Sequence, residues 1–160
     1  MFSIIDLHHD YLLISKMKIP TKRKARLITE LLAESDNPWR VIGITEKAFK
    51  VFPENDFDRI PRMRINRAHL VNRIETFTHL FEKIYTDPNE WWNYYYDRDK
   101  TILSTSSENM TNDLSSIIYF DRFDFFNVKD NLFKTVGFTW SYSKKKEKQF
   151  LMQLAKELNA

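Results

Sequence analysis

The sequence predicts an α+β fold: a helix-rich single domain with a small β-hairpin followed by a helix. Three observations carry that prediction. Apolar residues recur at helical spacing, as at Leu27, Ile28, Leu31 and Leu32. The 160-residue chain holds only two glycines, Gly43 and Gly137, too few for a many-turned all-β fold. Lys100–Ser104 is a short β-like run that passes straight into Thr105-Ser-Ser-Glu108, a capping box that opens a helix.

The elements follow in order. Met1–Ile14 is apolar in patches, interrupted by Asp6, His8, His9 and Asp10. It has no basic start and no small-residue cleavage site, so it does not read as a signal peptide. Pro20-Thr21 opens a helix over Thr21–Glu34, basic in its first half, and Ser35-Asp36-Asn37-Pro38 stops it. Trp39–Ile44 reads as a strand, and Thr45 caps a short helix that Pro53 ends. Helix, turn and helix at this spacing resemble a helix-turn-helix head. The polar stretch Glu54–Arg62 is the best internal boundary, which divides the chain into a helical region over 1–58 and a working region over 59–160.

Asp87-Pro88 starts a helix over Asn89–Arg98 that carries Trp91, Trp92, Tyr94, Tyr95 and Tyr96. Five aromatics in six residues cannot all face a core, so some lie at the surface, on a partner or on bases. Ile117–Phe120 and Leu132–Val136 are further strand candidates, and Ser143–Leu158 is a C-terminal amphipathic helix.

Composition excludes several chemistries. The absence of cysteine removes disulfides, Cys-ligated zinc, iron–sulfur clusters and a thiol nucleophile. Two glycines cannot build a P-loop or a Rossmann fingerprint. No apolar run reaches the length of a membrane span, so no membrane partner is expected and the cytoplasm is the default setting. A homodimer stays open as an assembly.

The net charge is +3, with 25 basic and 22 acidic residues, a mild pointer to an anionic partner. Its distribution says more. Arg59, Arg62, Arg64, Arg67 and Arg73 follow one another with no acid between Asp58 and Glu75. Arginine suits planar, bidentate contact with phosphate. Lys16, Lys18, Lys22, Arg23, Lys24 and Arg26 form a second acid-free run, and Lys144–Lys146 a third.

The residues with most chemical content are Arg67-Ala-His69-Leu-Val-Asn-Arg73 and Lys100-Thr-Ile-Leu-Ser-Thr-Ser-Ser-Glu-Asn109-Met. Together they resemble the two halves of the HNH, or ββα-metal, endonuclease motif. The first half is also similar to the Arg-Gly-His-Leu run of nonspecific nucleases with the same metal finger. The resemblance covers about 50 residues. It implies a strand ending in His69 as general base, a second strand over Lys100–Ser104, and a helix whose first turn offers Asn109 to a metal. It further implies Mg²⁺ (or Mn²⁺) as cofactor, DNA as substrate, and Arg62, Arg64, Arg67 and Arg73 on phosphates; Lys22, Arg23 and Lys24 of the second basic run are expected on nucleic acid as well.

A histidine near neutral pKa can take a proton from water, and a hard cation neutralises charge developing on the phosphate. Ala68 stands where many such motifs carry a metal-binding carboxylate. Asp99 and Asp113 are the carboxylates expected to complete the metal site, with Asp97 and Asn93 as neighbours. For such a site His69 and Asn109 must converge.

A competing pattern runs through the first half. Leu70, Ile74, Phe77, Phe81 and Ile84 are spaced 4, 3, 4 and 3. Asn66 to Tyr85 can therefore be one amphipathic helix with Asn66 as N-cap, and the Arg59–Arg73 segment a recognition helix of a noncatalytic DNA-binding regulator. A third expectation is a protein partner for the aromatic helix. His79 reads as a structural histidine, and His8-His9-Asp10 as a weaker metal candidate.

Overall fold

The computed structural model describes residues 3–34, 40–58, 63–120 and 144–159. Among them are seven α-helices and a four-stranded sheet, an α+β, helix-rich architecture. The strand candidate Leu132–Val136 lies outside the described residues, as do Arg59 and Arg62. Contacts divide the chain into two compact units that interleave in sequence, Met1–Trp39 with His69–Lys100, and Arg40–Ala68 with Thr101–Ala160. That division does not follow the 58/59 linker.

The first unit is helical: α1 (Ile4–Lys16), α2 (Thr21–Glu34), α4 (Arg73–Glu82) and α5 (Pro88–Arg98). The sequence expectations give only a helical region over 1–58 and do not single out α1. Ser3 caps it: the Ser3 Oγ accepts from Asp6 N–H at 3.1 Å and the Asp6 carboxylate accepts from Ser3 N–H at 2.9 Å. Leu7, Tyr11 and Ile14 then fall on one face and are buried. They pack with Ala25, Ile28 and Leu32 of α2, Phe77 and Leu80 of α4, and Trp91 and Tyr95 of α5. Helix α5 meets the expectation for its aromatics. Trp91 and Tyr95, four residues apart, are buried, while Trp92, Tyr94 and Tyr96 are half-exposed.

The second unit holds the sheet, in the order β2-β3-β1-β4, with β1 (Arg40–Thr45), β2 (Ile65–His69), β3 (Lys100–Thr105) and β4 (Ile117–Tyr119). Its residues fall in this unit except His69 and Lys100, which group with the first. Strands β1 and β4 are antiparallel, with Gly43 opposite Tyr119 and Ile44 opposite Ile118. A Cβ at Gly43 would stand 2.9 Å from the Ile118 carbonyl oxygen, so the close approach of backbone there requires glycine. The helices α3 (Glu46–Val51), α6 (Ser106–Thr111) and α7 (Lys144–Leu158) complete the unit. Its core joins Val41, Ile44, Phe52, Leu103, Ile118 and Phe120 to Phe150, Leu151 and Leu154 of α7.

Two expectations are corrected here. Helices α2 and α3 do not form a helix-turn-helix head. Strand β1 separates them in sequence, and they belong to different units. The single helix over Asn66–Tyr85 is also absent, and the described part of the Arg59–Arg73 segment is not one recognition helix. Residues 65–69 are strand, and α4 begins only at Arg73, with the Asn72 side chain accepting from Ile74 N–H. Sheet pairing outweighs a helical stripe that does not match the buried face. Phe77 and Leu80 are buried, whereas Ile74 is 52% exposed and Ile84 44%.

Candidate functional site

The strand β2 alternates Ile65, Arg67 and His69 on one side with Asn66 and Ala68 on the other. Two backbone hydrogen bonds fix its partner. Leu70 N–H donates to the Lys100 carbonyl at 2.9 Å, and Ser106 N–H donates to the Arg64 carbonyl at 2.8 Å. As residue numbers rise along β2 they fall along β3, so the pair is antiparallel. Arg64 enters the strand with a left-handed backbone, φ 50°. The Ser106 hydroxyl also donates to its carbonyl, and Asn66 donates to that hydroxyl.

His69 closes β2 and is half-buried. The Leu70–Lys100 bond holds the chain just past it against the start of β3. Asp99 immediately precedes that start and is 7% exposed. Its N–H caps α5 by donating to the Tyr95 carbonyl at 2.9 Å. His69 and Asp99 thus flank one backbone hydrogen bond within the first unit.

The other half of the expected motif starts from the far end of the strand pair. Thr105 is the N-cap of α6: its Oγ accepts from Glu108 N–H, and Glu108 reaches back to Thr105 N–H at 2.9 Å. This is the capping box legible in the sequence. Asn109 sits on that helix and is exposed. The bond from Ser106 N–H to the Arg64 carbonyl puts the start of α6 beside the head of β2.

Asp113, also exposed, lies 3.6 Å from Lys47 Nζ and accepts from the Ser115 hydroxyl at 3.1 Å. Asp97 and Asn93 are exposed on α5. Among the described residues, no group of three or more His, Cys, Asp or Glu is placed to hold a metal ion. Asp99 belongs to the first unit and Asn109 and Asp113 to the second, and no chemical step is drawn through a metal.

The expected phosphate-binding cations divide into two kinds. Arg64 is exposed at the head of β2, and Lys22 and Arg23 are exposed at the start of α2. Arg67 is half-buried in β2. By contrast, Arg73 Nη2 donates to Thr29 Oγ1 at 2.8 Å and its guanidinium lies 5.4 Å from the Phe77 ring centre, joining α4 to α2. Lys24 Nζ donates to the Ser15 carbonyl at 2.6 Å and lies 5.7 Å from the Phe81 ring. Both cations hold helices together. Arg62 lies outside the described residues.

Of the remaining histidines, His8 and His79 have structural partners. His8 is buried, with Nε2 2.8 Å from the Tyr85 carbonyl and its ring beside Tyr11 and Trp91. His9 points to solvent, 3.9 Å from Asp10. His79 stacks on Tyr94 at 4.5 Å, and its Nε2 lies 3.1 Å from the Tyr85 hydroxyl.

One buried carboxylate does more than its sequence pattern shows. Glu108, 3% exposed, also accepts from Thr45 Oγ1 at 2.8 Å. A single carboxylate oxygen thereby ties together the points where β1 and β3 each turn into a helix. The capping box announces the contact with Thr105; no local signal announces the one with Thr45, 63 residues away. A scan against protein-family models finds no match, and searches of curated proteins and of solved structures find none either.

Proposed function

We propose that the chain binds DNA and hydrolyses its phosphodiester bonds, with His69 as general base and a divalent cation, Mg²⁺ or Mn²⁺, as cofactor. The observation that carries this reading is the chain path around His69. A strand ends on that histidine and pairs antiparallel with Lys100–Thr105, and a Thr105-capped helix follows at once. The HNH resemblance implies this order of elements.

His69 would accept the proton of the attacking water. Arg64 offers a guanidinium to a neighbouring phosphate at the other end of β2. The cation, when bound, supplies charge neutralisation on the phosphate. The exposed placement of Asn109 favours a second reading, in which the chain binds DNA without cutting it.

A plasmid-nicking assay separates the two. The purified protein is expected to relax or linearise supercoiled DNA with Mg²⁺ or Mn²⁺ and to stop when EDTA is added. His69→Ala should lower the rate about 10²–10⁴-fold, the usual contribution of a general base, with DNA affinity retained. Equal rates for His69→Ala and the wild type would remove the catalytic assignment and leave the binder.

A further inference from the structure

Residues 11–29 contain six cations and no acid; Asp10 precedes the stretch and Glu30 follows it. The stretch forms the end of α1, the turn to α2, and the first half of α2. Of its cations, Lys16, Lys18, Lys22, Arg23 and Arg26 are exposed. No hydrogen bond or ion pair engages those five side chains among the described residues.

The sixth, Lys24, has a different task. Its bond to the Ser15 carbonyl and its place over Phe81 fasten the two helices where they meet. The five remaining charges thus project from a braced corner rather than from a loose tail.

Helix stability does not account for them. The first turn of α2 has no acid, and Lys22, Arg23 and Lys24 stand at the positive end of the helix dipole, where cations weaken a helix. Clustering like charges without counter-ions adds repulsion. A polyanion relieves both costs.

We propose that this α1–α2 corner docks the sugar–phosphate backbone of duplex DNA through Lys16, Lys18, Lys22, Arg23 and Arg26. The proposal rests on the DNA-binding part of the function above and not on its chemistry. Contact with phosphate alone carries no sequence information, so the surface should hold unrelated duplexes equally well. It also supplies the anchoring charge that Arg73, engaged with Thr29, does not offer.

The test measures the affinity of the His69→Ala protein for two unrelated 20-base-pair duplexes by fluorescence anisotropy across a salt series. Each neutralised phosphate contributes about −0.9 to the slope of log affinity against log salt. The variant Lys16→Ala/Lys22→Ala/Arg23→Ala/Arg26→Ala should flatten that slope by about 2–4 for both duplexes. Lys24→Ala should lower thermal stability and leave the slope alone. Circular dichroism confirms that each variant is folded.

An unchanged slope in the folded quadruple variant overturns the proposal. So does binding to phosphatidylserine vesicles in preference to DNA, lost on Leu13→Ser/Met17→Ser. Those two exposed apolar side chains would serve a lipid surface and have no use on phosphate. A flattened slope together with a wild-type protein that never cuts DNA supports this surface and removes the nuclease.

Discussion

Replacing Glu108 by alanine tests how the second unit is held together. Its carboxylate oxygen accepts three hydrogen bonds, from Thr45 Oγ1 at 2.8 Å, Thr105 Oγ1 at 2.8 Å and Thr105 N–H at 2.9 Å. A hydrogen bond to a charged group contributes about 1.5–3 kcal/mol, and losing a helix cap costs about 1 kcal/mol. The three bonds share one oxygen and cannot be summed. Glu108→Ala should therefore destabilise by about 3 kcal/mol, and Glu108→Gln, which keeps one acceptor, by about 1–2 kcal/mol.

Urea denaturation followed by far-UV circular dichroism measures both. The decisive quantity is the coupling between Glu108→Gln and Thr45→Val. If the carboxylate joins the two strand-to-helix turns, the double mutant should lose about 1 kcal/mol less than the sum of the singles. A cost below about 0.5 kcal/mol for Glu108→Ala, or strict additivity in the cycle, would refute the reasoning.

Four further outcomes follow from the packing. Tyr11 lies in the helical core, its hydroxyl donating to the Leu80 carbonyl and accepting from Tyr85 N–H; Tyr11→Phe should cost about 1–3 kcal/mol in a denaturant titration. Burial raises the Tyr11 pKa above its ordinary 10.0, so the unfolded chain loses this proton first; stability should be intact below pH 10 and fall as pH rises above it, less steeply in Tyr11→Phe. Gly43→Ala should destabilise by about 1–3 kcal/mol in thermal melts, because the new Cβ meets backbone at Ile118 rather than a yielding side chain. Arg73→Met should lower stability without altering the salt dependence of DNA binding, since its guanidinium serves Thr29; a flattened slope would return it to the phosphate surface.

Much of the secondary structure is legible without coordinates, because its causes are local. The strand of Lys100–Thr105, the Thr105 capping box, the Asp87-Pro88 helix start and the Thr45 cap each depend on residues within one turn of one another. The helix α1 was legible in principle through Ser3, Asp6 and the Leu7, Tyr11, Ile14 face, but His8, His9 and Asp10 hid its period. What His8 does depends on a carbonyl 77 positions away. Local pattern could not decide residues 65–69. The spacing from Leu70 to Ile84 extends a helix backwards as readily as it ends one, and only pairing with β3, across 31 residues or more, makes them strand. The same long-range choice sends Arg73 to Thr29, Lys24 to Ser15 and Glu108 to Thr45. Composition marked these residues as charged and therefore available; burial and partners remote in sequence determine which of them remain free to meet another molecule.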